Sequence, residues 1–178
     1  MFLSILYFIE SRVDFCIYEV GLGGELDATN IIMPRLCINT NISYDHMNYL
    51  GNTLVDIAKA KAGIIKEGIP FLTGETKKEC LDVFEEVCKQ KHSELLFVKE
   101  RCNIHELSYD YRNYHLDLEM LGSYQKDNSA LAIEALYQLR KRGYIDYQDD
   151  VLVKAINSSH WAGRFEKVSD DPFIIIDG

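Results

Sequence analysis

The sequence lacks several features that would assign it at once to a common class of protein. Its apolar start, residues 1–9 of 178, is too short to span a bilayer. That start carries neither a basic leader nor a small-residue cleavage site, so we expect no signal peptide. The five cysteines are odd in number and include no C-x-x-C, which favours reduced thiols of a cytosolic protein over a disulfide framework.

Two nucleotide-binding signatures and a positively charged surface are also absent. Gly63 and Gly68 have the glycine spacing of G-x-x-x-x-G-K-[ST], but isoleucine and proline follow them, so there is no P-loop. A G-x-G-x-x-G beginning at Gly21 would need glycine where Leu26 stands, which disfavours a dinucleotide-binding module. The net charge of −9 argues against a broad nucleic-acid surface.

Polar residues follow two predicted strands. The apolar runs Phe15–Tyr18 and Leu36–Ile38 are rich in β-formers and bounded by turn formers, so each predicts a buried strand. Glu19 follows the first run, and His46 follows the second by a few residues. Ligands of open α/β sheets bind beyond the carboxyl ends of the strands. We therefore expect this carboxylate and imidazole, together with Lys61, near a binding site.

The segment that carries Lys61 is predicted to be a helix. Thr53 and Asp56 have the spacing of a capping box at its start. Lys61 falls on the same predicted inward face as three apolar residues, and Lys59 points elsewhere. From the residues alone, Lys61 either extends its ammonium to solvent or serves a site. The apolar residues of that face are Leu54, Ile57 and Ala58.

Periodicity predicts the remaining elements. An apolar helix at the start ends near Arg12 and packs on the sheet. A helix over 76–91 begins with a capping box of Thr76 and Glu79 and turns Leu81, Phe84, Val87 and Cys88 inward. A long helix opens in 122–128 and closes at Gly143, with Leu131, Ala132, Ala135, Leu136 and Leu139 inward. The other predicted elements are strands at 70–73 and 95–98, a hairpin in 109–118 around Arg112-Asn113, a short helix at 151–156 and a buried strand at 173–176.

Several motifs together resemble one family. They read EVGLGG-x-LDATN from residue 19, TNI-x-x-DH-x-x-x-LG from residue 40 and IA-x-x-KAGI from residue 57. Two more, G-x-x-Q-x-x-N-x-x-x-A from residue 122 and WAGRFE from residue 161, follow in order. This set closely resembles folylpolyglutamate synthase and dihydrofolate synthase, the folate branch of the ATP-dependent Mur ligase superfamily.

The resemblance implies an α/β fold. It would be a Mur-ligase-type central ATPase domain, with a mostly parallel sheet flanked by helices and a small antiparallel hairpin region. Residues 1–178 would be an incomplete version of that domain, without the upstream P-loop part and the C-terminal glutamate-ligase domain.

The resemblance also implies roles for residues in the first half of the chain. Glu19 and His46 would hold a Mg²⁺ ion that bridges ATP and the acyl phosphate. Beside His46 in the sequence, we expect Asp45 to orient the turn or His46 rather than to bind the metal itself. Lys61 would be carbamylated by carbon dioxide and so become a carboxylate able to hold a second metal. Asp27 would lie on the folate side of the site and touch the pterin.

ATP contacts are implied in the second half. Asn128 and Asp177 match family residues at or near the nucleotide, and the guanidinium of Arg164 offers a planar fork for phosphate oxygens. From the residues alone, Asn128 reads as a first-turn polar residue and Asp177 simply ends the last predicted strand. Arg164 then reads as half of a surface ion pair with Glu166 or Asp170.

The implied activity is that of a cytoplasmic enzyme joining L-glutamate to a folate or dihydropteroate carboxylate. ATP would phosphorylate the acid, and the glutamate amine would attack the acyl phosphate, giving an amide, ADP and phosphate, with Mg²⁺ stabilising charge. We expect these small molecules as partners, neither nucleic acid nor membrane, and a monomer at full length. Two alternatives stay open: another Mur-type amide ligase, or a non-catalytic truncated remnant or interaction domain, which the missing P-loop favours for this chain alone.

Overall fold

The computed structural model describes residues 1–44 and 46–177. By its internal contacts the chain divides into two compact units, Met1–Leu96 and Phe97–Gly178. Asp45, predicted to orient His46, lies outside the described residues. Among those described, no helix is both long and apolar enough to cross a membrane.

The first unit alternates helices with short strands. Its helices are α1 (Phe2–Ser11), α2 (Met47–Leu50), α3 (Leu54–Ala62) and α4 (Lys78–Gln90), with a 3₁₀ turn at Ala28–Ile31. Its sheet has the strand order β1 (Cys37–Asn39), β2 (Phe71–Thr73) and β3 (Leu95–Phe97), the last of which reaches the boundary between the units. The predicted strands at 36–38, 70–73 and 95–98 are thus confirmed within one or two residues.

Strands β1 and β2 run parallel, and Asn39 lies opposite Thr73. The segments that follow both strands therefore leave the same edge of the sheet. The core of this unit packs α3 and α4 against the strands, with the rings of Phe71 and Phe84 edge to face at 5.0 Å between centroids. Buried apolar residues that form it include Cys37, Ile42, Leu54, Ile57, Ala58, Ile65, Cys80 and Cys88.

The second unit is built from two antiparallel sheets and two helices. The first sheet contains β4 (Cys102–His105), β5 (Ser108–Tyr111) and β6 (Tyr114–Asp117), and the second contains β7 (Glu166–Asp170) and β8 (Phe173–Ile176). Between them come α5 (Gln125–Lys141) and α6 (Asp149–Asn157). Arg112-Asn113 is the two-residue turn of the β5–β6 hairpin, as predicted, with Arg112 at a left-handed φ of 56°.

The predicted buried strand Phe15–Tyr18 is wrong. These residues have no regular secondary structure, and the side chain of Ile17 is 93% exposed. A strand needs a hydrogen-bonded neighbour, and β1, the end strand of its sheet, pairs only with β2 in the described residues. Helix α1 ends at Ser11 with Arg12 as its cap, as predicted, but it buries no residue and so does not pack on the sheet.

Other burial predictions also fail in part. Ile38 in β1 is exposed, as are Ala132 in α5 and Phe173 in β8. In α4, Cys80 and Val83 are buried with Phe84 and Cys88, whereas Leu81 and Val87 are only partly buried. The predicted capping box of that helix does not form, because the helix is capped at Lys77 and no side chain caps it.

Candidate functional site

Asp27 organises the glycine-rich loop. One oxygen of its carboxylate accepts hydrogen bonds from the backbone N–H groups of Gly21 and Leu22, at 3.0 and 3.2 Å. The other accepts from the N–H and hydroxyl of Thr29, at 2.8 and 2.5 Å. The Thr29 bonds, helped by those from Leu22 and Gly21, lower the pKa of Asp27 to about 2. Its predicted contact with the pterin stays a prediction, since both carboxylate oxygens serve the loop itself.

The loop packs directly on the end of α3. The side-chain amide of Asn30 donates to the carbonyl oxygens of Glu25 and Gly63, at 3.0 and 3.1 Å. A Cβ on Gly24 would lie 2.9 Å from the carbonyl oxygen of Ala60, so only glycine permits this approach. Two of the motifs seen in the sequence are therefore one packed substructure.

The third motif joins it through α2. His46 caps this helix in a left-handed conformation, φ 50°, and accepts hydrogen bonds from the N–H groups of Tyr49 and Leu50 at its carbonyl oxygen. Leu50 packs against the core, and its side chain would lie 3.0 Å from a Cβ on Gly23. The loop, α2 and the end of α3 thus pack together in the first unit.

Glu19 and His46, the predicted metal ligands, are both exposed side chains of this unit. In the part of the chain that the structure describes, no group of three or more His, Cys, Asp or Glu is arranged to hold a metal ion. Magnesium usually keeps several waters and takes one or two protein ligands plus substrate phosphates. The exposed Glu19 carboxylate is of the ligand type that Mg²⁺ prefers, and the metal role of Glu19 and His46 stays a prediction.

Lys61 lies where the helical pattern puts it. Leu54, Ile57 and Ala58 are buried, Lys61 is partly buried, and Lys59 on the other face is exposed. The capping box is present, because the Thr53 side chain accepts from the Asp56 N–H and the Asp56 carboxylate accepts from the Thr53 N–H. The backbone of Lys61 borders the glycine-rich loop, with its carbonyl oxygen 3.0 Å from a Cβ on Gly24.

Asn128 lies in the first turn of α5, in the second unit. Its side-chain amide donates to the Oε1 of Gln125 at 3.2 Å, and Gln125 is buried. The turn is held to the β-sheet beside it, because the hydroxyls of Tyr109 and Ser129 share a 2.6 Å hydrogen bond. Gln125, the glutamine of the same motif, therefore fixes the Asn128 carboxamide.

Arg164 and Asp177 come together at the β7–β8 hairpin. The Asp177 carboxylate accepts a hydrogen bond from the N–H of Phe165, at 3.1 Å, directly after Arg164. Glu166 accepts from the N–H of Gly163, at 2.7 Å, and so closes the same turn. Both Arg164 and Asp177 are exposed. A guanidinium has the planar fork of donors that suits phosphate oxygens, and the ATP role of Arg164 stays a prediction.

Two buried carboxylates were missed by sequence reasoning. Glu134 in α5 is 2% exposed and pairs with Arg112 at 2.7 Å. Glu75, after β2, is 4% exposed and accepts the N–H of Ile42 at 2.6 Å. Neither stands out in the sequence, since a glutamate on a helix or after a strand is usually exposed.

A parallel strand pair, two covering helices and a glycine-rich loop packed on a lysine-bearing helix give the first unit an α/β fold. The family model of the Mur ligase middle domain matches residues 2–136, so the chain belongs to the Mur ligase family.

Among similar curated proteins, the dihydrofolate synthase/folylpolyglutamate synthase of Bacillus subtilis is 36% identical over 98% of this chain and 44% of its own length. The dihydrofolate synthetase of Saccharomyces cerevisiae is 36% identical over 97% of the chain and 44% of its own length. The chain therefore spans less than half the length of these relatives.

Solved structures of folylpolyglutamate synthases share the fold. The apo form from L. casei has a TM-score of 0.87 and 33% identity, and covers 99% of this chain and 46% of its own. A folylpolyglutamate synthase complex with AMPPCP and folate has the same values. The enzyme from Thermotoga maritima has a TM-score of 0.79 and 33% identity, covering 98% and 42%.

Proposed function

We propose that this chain supplies the middle domain of an ATP-dependent ligase that adds L-glutamate to folate or dihydropteroate. The observation that carries the proposal is the packing of the glycine-rich loop on the end of α3, held by the Asn30–Gly63 hydrogen bond. That contact assembles the motifs of Glu19 and Lys61 in a chain of the Mur ligase family. Relatives named as dihydrofolate and folylpolyglutamate synthases support the substrate class.

In this proposal Glu19 and His46 hold Mg²⁺, which would stabilise the negative charge of the transferring phosphoryl group. Lys61 takes up carbon dioxide on its neutral amine, forming an N–C bond and releasing one proton, and the resulting carbamate carries a negative charge. The position of Lys61 on the partly buried, inward face of α3, beside the glycine-rich loop, supports this role. Asp27 holds the loop that faces the folate side.

Asn128 and Arg164 would contact ATP, and Asp177 would lie near the nucleotide. Asn128 would present its carboxamide oxygen while Gln125 holds its nitrogen, and Arg164 would offer its guanidinium to phosphate oxygens. ATP would phosphorylate the folate or dihydropteroate carboxylate, and the amine of glutamate would displace phosphate from the acyl phosphate to give an amide and ADP. A solved complex of a similar folylpolyglutamate synthase with AMPPCP, an ATP analogue, and folate supports both ligands.

The full-length enzyme would be a cytoplasmic monomer. It would act on small molecules and would have neither nucleic acid nor membrane as a partner. The net charge of −9 supports the exclusion of nucleic acid.

A chimera tests the function. The 178 residues replace the matching segment of the Bacillus subtilis relative, which supplies the rest of the ligase. We expect ADP release that requires both glutamate and a folate or dihydropteroate acceptor. A folded chimera that binds ATP but adds no glutamate to either acceptor would refute the assignment and leave the non-catalytic alternative.

A further inference from the structure

Glu75 lies at the edge of the sheet where the proposed metal ligand His46 is also found. It follows β2 by two residues, and the loop that leads to His46 follows β1. Because Asn39 and Thr73 are opposite each other in the parallel pair, both segments leave the sheet together. The Thr73 hydroxyl accepts the N–H of Glu75 at 3.1 Å, which fixes the start of the second segment.

The carboxylate of Glu75 is buried and fully bonded. One oxygen accepts the N–H of Ile42 at 2.6 Å, and the other accepts the N–H groups of Thr76 and Lys77 at 2.7 and 2.8 Å. The Lys77 ammonium lies 3.3 Å from the same carboxylate. Three backbone donors and a cation thus converge on one group, which is far more than a helix start requires.

Both polar groups of the Ile42 backbone, its N–H and its carbonyl, are hydrogen-bonded to these two side chains. Its N–H donates to Glu75, and its carbonyl oxygen accepts from the Lys77 ammonium at 2.8 Å. Its side chain is 1% exposed in the core. The loop after β1 therefore has one rigid point, made by two side chains from the neighbouring segment.

His46 comes four residues after that point, so its Cα lies at most about 14 Å away. It has a left-handed backbone, φ 50°, which is uncommon for a residue other than glycine. On its other side, α2 is anchored in the core by Leu50. Ile42 and Leu50 are thus anchored residues on the two sides of His46.

We propose that Glu75 and Lys77 are positioning residues for His46, setting where its imidazole meets the metal. This rests on the proposed function for the metal role, and on the loop contacts alone for the positioning role. Neither residue would touch substrate or metal.

The test uses the 178-residue chain with Glu75→Gln and Lys77→Met, each with a matched control. Glu134→Gln also removes a buried, paired carboxylate but lies in the other unit. Lys78→Met removes the neighbouring, exposed lysine, which pairs with Asp82. If Glu75→Gln fails to fold, Lys77→Met still tests the proposal, because it removes the ammonium that contacts Glu75 and the Ile42 carbonyl but leaves the Glu75 carboxylate with its three backbone donors.

Two readouts separate positioning from stability. The first is the NMR signals of the His46 amide and imidazole C2–H, which we expect Glu75→Gln and Lys77→Met to shift and both controls to leave in place. The second is Mn²⁺ affinity, measured where all variants are folded. We expect it to fall about tenfold in Glu75→Gln and less than twofold in Glu134→Gln, even at equal loss of stability.

Unmoved His46 signals in both test variants overturn the positioning role, whatever the metal result. The His46 signals can move in the test variants although the chain binds no Mn²⁺, or although His46→Ala binds Mn²⁺ as tightly as the wild type. Either result supports the positioning role and refutes the proposed metal role. Equal effects of Glu75→Gln and Glu134→Gln on His46 would show a general loss of structure and also overturn the proposal.

Discussion

The side-chain amide of Asn30 donates a hydrogen bond to the carbonyl oxygen of Gly63, 33 residues later in the chain, at 3.1 Å. This bond ties the glycine-rich loop to the end of the helix that carries Lys61. Lys66 extends the contact, because its ammonium donates to the carbonyl oxygen of Asn30 at 2.6 Å. Motifs that are separate in sequence are thus adjacent in space, which is what a shared site requires.

Gly63→Ala is expected to break that junction. The new Cβ would lie 2.5 Å from the backbone nitrogen of Glu25, and backbone atoms cannot move aside cheaply. We expect the free energy of unfolding to fall by about 2 kcal/mol, as for other overpacked sites, measured by urea unfolding. Gly21→Ala is the control, since its Cβ would meet only a side-chain oxygen of Asp27 at 3.3 Å. Equal free energies of unfolding for the two variants would contradict the tight packing of Gly63 against the backbone of Glu25.

Glu134 is expected to make the free energy of unfolding depend on pH in the acidic range. Burial alone would raise its pKa, but hydrogen bonds from Arg112, Tyr111 and Gln138 outweigh it and hold the pKa below the ordinary 4.5. A carboxylate with a lowered pKa stabilises the fold above the unfolded-state value, and that contribution is lost as the pH falls through the folded-state value.

Glu134→Gln should therefore cost about 3 kcal/mol at pH 7, because it leaves Arg112 buried without its partner. The difference from the wild type should shrink below pH 4.5 in urea titrations. The exposed Glu86→Gln serves as control and should change little at any pH. A cost for Glu134→Gln that stays constant down to pH 3 would show that its charge is not the stabilising feature.

Asp177 is expected to act through the turn that carries Arg164. Its carboxylate accepts the Phe165 N–H, and asparagine keeps an oxygen that can do the same. In the chimera, Asp177→Ala should weaken AMPPCP binding about tenfold, the effect of about 1.4 kcal/mol, and Asp177→Asn should stay within about threefold. Binding by calorimetry decides this, and equal losses in both variants would assign the role to the negative charge instead.

The 178-residue chain by itself is expected to show no ligase turnover. Its sequence contains no G-x-x-x-x-G-K-[ST] to hold the β- and γ-phosphates of ATP. ADP release that depends on folate and glutamate, measured on the purified chain beside the chimera, checks this. Such release from the chain alone would show that another part of it binds the phosphates.

Local signals in the sequence predicted the elements that depend on local chemistry. The capping box of Thr53 and Asp56 and the hairpin at Arg112-Asn113 both formed, because each is decided within a few residues. The strand predicted at Phe15–Tyr18 did not, because a strand depends on a neighbour that a single stretch cannot reveal.

The sequence likewise revealed only part of the candidate site. The motifs gave Glu19, Lys61 and Asn128, but no pattern marked Glu75, whose importance comes from burial against Ile42, 33 residues earlier. Thr76 and Glu79 looked like a capping box, yet the N–H of Thr76 donates to Glu75. Long-range polar contacts of this kind leave no periodic trace in the sequence.

The most direct test of the account is the rate of glutamate addition by the chimera with Glu19→Gln and with Lys61→Ala. We expect each to lower turnover at least about 100-fold, the scale of losing a major electrostatic group. The control is Lys59→Ala on the exposed face of α3, which should retain the chimera's rate. Near-normal turnover in Glu19→Gln or Lys61→Ala would contradict the account and remove that residue from the site.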